Sequence, residues 1–188
     1  MVERWKAERD ALNEECRRIQ GAARVEYLRL DFERRWFGLF ERLLHEETGP
    51  LWLKNPLIAR VVADSLHFHD GRSYDLHAYS LMANHGHVLF TPFLNEQSLT
   101  EIRDPILRYE SNAPTLGAIM RSFKGYTARE ANKILGRSGQ FWDAESYDHE
   151  VRNGIAFRRI EKYILNNPVK AGLVRDWRDW KWNWVAAE

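Results

Sequence analysis

Two apolar, alternating runs, Tyr74 to Met82 and His87 to Thr91, are separated only by Ala83-Asn84-His85-Gly86, and this pair constrains the chain more than any other feature. Both runs read as strands, and so short a link joins them antiparallel. The fold must therefore contain a sheet, and the sheet needs helices to cover it.

Those helices are marked along the chain. Val2 to about Ile19 is rich in Glu, Arg, Ala and Lys and free of Gly and Pro, which predicts a solvent-facing helix closed by Gly21. Asp31 is expected to cap a second helix in which Phe32, Trp36, Phe40 and Leu43-Leu44 recur at helical spacing up to Thr48-Gly49-Pro50. Asn55-Pro56 supplies a cap and a first-turn proline for a third helix to about Phe68.

Beyond the hairpin, Asn95 to Tyr109 is polar and irregular with room for a short helix, and Pro114 is expected to open a longer helix through Ile119, Phe123 and Tyr126 to Leu135, stopped by Gly136. A loop from Gln140 to Ser146 leads to an expected strand at Tyr147 to Arg152. A helix from about Ile155 to Asn167 follows, terminated by Pro168. Trp177, Trp180, Trp182 and Trp184 read as a hydrophobic cover for the sheet. The sum is an α+β chain with an antiparallel sheet and packed helices. At 188 residues it is read as a single domain, 1–188, mainly helical over 1–70 and with its chemistry in 72–177.

Net charge says little about partners, because 28 Lys+Arg nearly cancel 27 Asp+Glu to leave +1. Its distribution says more. Positive charge gathers in Arg121-Ser122-Phe123-Lys124, Arg129 to Arg137 and Arg152 to Lys170, which makes the second half the candidate nucleic-acid face. The single Cys16 excludes an intramolecular disulfide and a Cys-rich zinc site. No run approaches the roughly 18 apolar residues of a membrane span, and the first residues do not begin a signal peptide, so a cytoplasmic location is expected.

Two clusters carry chemistry. His85-Gly86-His87 puts two imidazoles on one face of a strand, where they can share a divalent ion or be merely one packed and one solvated histidine. Tyr163 and Asn167 stand four apart on a helix, which sets a phenol beside an amide oxygen; alternatively they are an ordinary helix aromatic and a helix-end residue. Imidazoles and an amide oxygen together make a site suited to a hard divalent cation with positions left open.

Several stretches together resemble the REP-associated tyrosine transposases, relatives of the single-tyrosine insertion-sequence transposases. They are LHAYSLMANHGHV from Leu76 to Val88, IMRSFKGYTAREANKILGR from Ile119 to Arg137, FWDAESYDHEVRN from Phe141 to Asn153, and YILNNPVKAGLV from Tyr163 to Val174. The resemblance is close from Arg72 to Trp177 and looser before it. It implies a ferredoxin-like HUH-nuclease sheet, His85, His87 and Asn167 as ligands of Mg2+ or Mn2+, and Tyr163 as nucleophile in preference to Tyr126 or Tyr147. It also implies cleavage of single-stranded DNA beside palindromic hairpins through a 5′-phosphotyrosine, with release of a 3′-hydroxyl, in a bacterial cytoplasm. Arg121, Lys124, Trp142, Arg152 and Lys170 are the expected DNA contacts, by charge and stacking.

The chain departs from that pattern twice. Gly86 stands where a bulky hydrophobic residue is expected, and the sequence opens in a helix where the resemblance implies a preceding strand and no extra helices. Three expectations follow: an active strand transferase, a catalytically silent binder of hairpin or single-stranded DNA, or a helical interaction protein that keeps the motifs as scaffold. Either a monomer or a homodimer fits, the latter through an unfilled sheet edge.

Overall fold

The computed structural model describes the chain except residues 1, 46–48, 94–115, 145, 152 and 188, so the expectations for Asn95 to Tyr109 and for Pro114 fall outside the described residues. The chain divides into two compact units. One comprises Met1–Gly49 with Ala144–Glu150, the other Pro50–Asp143 with Val151–Glu188.

The first unit is a pair of helices, α1 (Val2–Arg18) and α2 (Ala22–His45), broken at Gly21, whose φ of +143° is open to glycine and strained for other residues. Trp5, Phe32 and Trp36 bury against one another with Leu12, Leu39 and Tyr147 at the edge, and Trp36 Nε1 donates to Glu8 Oε2 at 3.0 Å. Asp31 does not cap α2. The run Ala22 to Leu30 contains no breaker, so the helix starts nine residues earlier and Asp31 becomes an interior residue paired with Arg35 at 3.2 Å.

In the second unit, α3 (Pro56–His69) begins as expected: Asn55 Oδ1 accepts from Leu57 N at 3.0 Å, a cap worth about 1 kcal/mol. Strands β1 (Tyr74–Leu81) and β2 (Gly86–Pro92) pair antiparallel from Tyr74↔Pro92 to Leu81↔Gly86. Met82 N donates to His85 O at 2.8 Å to close the turn. The helix α4 (Leu116–Ile134) ends before Gly136, whose φ is +60°. Helix α5 (Gly154–Leu165) is capped by Asn153, whose Oδ1 accepts from Ala156 N at 2.9 Å.

Pro168 does not simply end that helix. Asn166 is the cap, and Asn167 and Pro168 open a new short helix, α6 (Asn167–Lys170), where a proline in the first turn needs no N–H to donate. The expected strand at Tyr147 to Arg152 is absent: residues 146–151 are irregular and Arg152 lies outside the described residues. Alternation in that stretch comes with Asp148, His149 and Glu150 all exposed, and a strand without a ladder partner gains nothing from alternation.

The tryptophan-rich end does more than cover the sheet. Its β3 (Asn183–Val185) pairs antiparallel with β1, so the order is β2-β1-β3 and the described sheet is three-stranded and antiparallel. Trp184 stacks on its partner Tyr79 at 5.9 Å, Trp180 Nε1 donates to Leu81 O at 3.0 Å, and Leu81 N donates to Trp182 O at 3.0 Å. The unit is thus α+β.

The two faces of the sheet carry different helices. Tyr74, Leu76, Tyr79 and Leu81 pack with residues of α3 and α4, including Ile58, Val62, Ile119 and Phe123. Ala78 and Leu89 pack on the other face with Ile164 and Leu165 of α5. A bulge between Leu76 and Ala78 resets the alternation of β1, so that His77 meets Phe157 of α5 at 5.0 Å while Tyr79 returns to the α3 face. Among the described residues no helix is long and apolar enough to cross a membrane.

Candidate functional site

Four of the residues singled out from the sequence lie together where the hairpin meets α5. His85 ends the turn and is buried at 9% exposure; His87, on β2, is two residues on and so shares the α5 face with Leu89. Their rings stand 5.0 Å apart, edge to face, and His87 meets the Tyr163 ring edge to face at 5.8 Å. Asn167 follows one turn after Tyr163, fully buried, with Nδ2 3.4 Å from Tyr163 O. The four form one chain of contacts, His85 to His87 to Tyr163 to Asn167.

The polar atoms at this junction are withdrawn from solvent. Nε2 of both histidines, Oη of Tyr163 and Oδ1 of Asn167 each expose less than 1 Å2. Because the Asn167 amide aims its nitrogen at a carbonyl, its oxygen is the atom left over, and it has no hydrogen-bond partner among the described residues. A buried carbonyl oxygen in that state costs about 1–3 kcal/mol, which a cation or a donor from a ligand would remove.

Asn84, which the sequence reading passed over, orients the first histidine. Its Oδ1 lies 2.7 Å from His85 Nδ1. An amide oxygen only accepts, so Nδ1 carries the proton and, in the neutral ring, Nε2 keeps the lone pair. This is the arrangement by which metal-binding imidazoles are held. The signal was available in principle, as an amide adjacent to the first histidine of the triplet.

The departure at Gly86 has a packing reason. A Cβ built there would stand 2.9 Å from Cδ2 of Leu81, its partner across the ladder, so the Leu81 side chain occupies the space that a residue at 86 would need. Leu81 is 2% exposed and belongs to the main core. The hairpin end is packed from β1 rather than from β2.

Among the described residues no group of three or more His, Cys, Asp or Glu side chains converges, so a metal site here has to include an amide. Two imidazole nitrogens and the Asn167 oxygen meet that condition, and the unsatisfied oxygen and the oriented ring fit the group.

The other expected contacts divide. Lys170 belongs to the same junction: its Nζ sits 3.8 Å from the centroid of the Tyr163 ring, a cation–π contact worth about 0.5–2 kcal/mol. Arg121 and Lys124 lie on α4, and Trp142 lies in the loop after it, on the face of the sheet away from α5. Arg121 is exposed. Trp142 donates Nε1–H to Thr127 Oγ1 at 2.8 Å, and Lys124 Nζ donates to Asp143 O at 2.9 Å, so both hold the loop to the helix. Arg152 is outside the described residues.

No protein-family model, no curated protein and no solved structure matches this chain.

Proposed function

We infer that the chain is a strand transferase acting on single-stranded or hairpin DNA, with the ferredoxin-like HUH architecture of the tyrosine transposases and Tyr163 as its nucleophile. The observation that carries this reading is the single chain of contacts among His85, His87, Tyr163 and Asn167, made by residues from a turn, a strand and two successive helices.

In this reading Tyr163 Oη attacks a backbone phosphorus in line with the departing 3′ oxygen. The new bond is Oη–P and the broken bond is P–O3′; the phenolic proton is lost and the leaving oxygen ends as a 3′-hydroxyl. The ester energy is kept in the phosphotyrosine, so a second 3′-hydroxyl can reverse the exchange without a nucleotide cofactor. His85, His87 and Asn167 would hold Mg2+ or Mn2+, which when bound supplies charge neutralisation at the phosphate oxygens. Asn84 fixes the ring of His85 through Nδ1.

The Tyr163 hydroxyl exposes less than 1 Å2, so attack requires the side chain or its cover to move first. That burial favours a second reading, a DNA binder that keeps recognition and does not present its nucleophile.

One experiment separates the two. Purified protein is incubated with labelled single-stranded DNA carrying a palindromic hairpin and its flanks, with magnesium or manganese, and run on a denaturing gel. A protein–DNA band lost with chelator and in Tyr163→Phe supports the transferase. Intact DNA despite measurable binding supports the binder.

A further inference from the structure

The Tyr163 ring touches two different groups. His87 meets it edge to face at 5.8 Å, the Lys170 ammonium sits 3.8 Å from its centroid, and the ring lines a cleft of about 420 Å3 together with Arg159, Lys162, Asn166, Val169 and Lys170.

Three cations therefore border one small cleft, with no carboxylate among the lining residues. None of Arg159, Lys162 and Lys170 forms a salt bridge among the described residues, whereas Arg35, Arg178 and Lys133 each pair with an acid. Helical spacing explains the clustering. Arg159, Lys162, Tyr163 and Asn166 fall at i, i+3, i+4 and i+7 on one stripe of α5, and α6 folds back far enough to bring Lys170 beside them. Like charges gathered this way repel, and a bound anion relieves the repulsion.

We propose that this cleft seats a backbone phosphate of single-stranded nucleic acid, the one next to the phosphate that Tyr163 attacks, with Arg159, Lys162 and Lys170 as its cationic contacts. The proposal rests on the strand-transfer reading for the identity of the neighbouring phosphate, while the anion seat stands on the cleft itself. Its contacts are to phosphate, so it reads no base sequence; it sets the register of the strand along α5. The Lys170 ammonium leaves the face of the tyrosine ring for the stronger charge–charge contact when the strand is seated.

The test uses the full chain without added metal and a fluorescent oligothymidylate of about eight nucleotides, a length typical of single-strand sites. Binding is followed by anisotropy as a function of salt. In Arg159→Gln/Lys162→Gln/Lys170→Gln the affinity is expected to fall by about tenfold or more at low salt, with the slope of log affinity against log salt reduced by about 0.7 for the one phosphate no longer neutralised. Arg35→Gln, which lies outside the basic second half and breaks the pair with Asp31, leaves binding unchanged. All three cleft side chains are exposed, so the variant is expected to fold, which circular dichroism checks.

A triple variant that binds within about twofold of the parent, with an unchanged salt slope, overturns the proposal, as does a parent that does not bind the oligonucleotide at all. Loss of binding in the variant together with no covalent adduct from the parent on hairpin DNA keeps the anion seat and removes strand transfer. An adduct that forms equally well in parent and triple variant keeps strand transfer and removes the seat.

Discussion

Asn84 Oδ1 accepts a hydrogen bond from Nδ1 of His85 at 2.7 Å, and this contact decides which ring nitrogen is left with a lone pair. The main chain of His85 is held in the turn at 82–85, where Met82 N donates to His85 O at 2.8 Å, so the imidazole is positioned by the backbone as well as by its neighbour.

Removing that acceptor should loosen the ring. In the proposed metal site, Asn84→Ala is expected to weaken Mn2+ binding by about tenfold to a hundredfold, and Asn84→Asp, which keeps an acceptor, to retain most of it. Isothermal titration with Mn2+ checks both. Equal affinity in Asn84→Ala and the parent would mean that the contact is only structural.

Leu81 and Gly86 share one space at the end of the hairpin. Gly86→Val forces a buried leucine to move and is expected to cost about 1–3 kcal/mol in urea denaturation. Combining it with Leu81→Ala should cost less than the two changes added together, because the new side chain fills part of the cavity left by the old one.

Trp142 is tied to α4 through Thr127 Oγ1, which itself donates to Phe123 O at 2.8 Å. Trp142→Phe keeps the ring contacts with Phe123 and Phe141 in kind but loses the N–H. The expected loss of stability is about 0.5–1.5 kcal/mol for the bond, plus a packing cost for the smaller ring, with oligothymidylate binding unchanged. A stable variant that loses binding would instead make the tryptophan a base contact.

Burial beside Tyr74, and secondarily the nearby Arg72 guanidinium, hold His69 below the ordinary histidine range. As pH falls, the unfolded chain therefore takes up the proton first. The contribution of His69 is fully present above about pH 6.5, the unfolded value, and is lost as pH falls through the folded one. Urea midpoints of the parent should drop more steeply than those of His69→Gln between about pH 7 and pH 5. Parallel curves would refute the assignment.

Much of the local structure was legible before folding was considered. Asn55-Pro56, Gly21 and Gly136 act within a turn of themselves, and strand alternation needs no more than the run that carries it. The same locality explains the misreadings. Asp31 looked like a cap because its residue type favours one, although nothing before it stops a helix; Tyr147 to Arg152 alternated without a ladder to join.

At the site, the sequence by itself determined that His85 and His87 share a strand face and that Asn167 lies one turn from Tyr163, since both follow from backbone periodicity. Only the tertiary structure decided that these two pairs meet, that the Asn167 oxygen is buried without a hydrogen-bond partner among the described residues, and that Lys170 covers the tyrosine. It likewise decided that Asn183–Val185 is a strand, because so short a segment takes that form when the free edge of β1 offers hydrogen bonds across a long chain separation, as Trp180 does to Leu81 ninety-nine residues away. The reason is physical: periodicity is set by neighbouring residues, whereas packing faces and ladder partners are chosen by the free energy of the whole core.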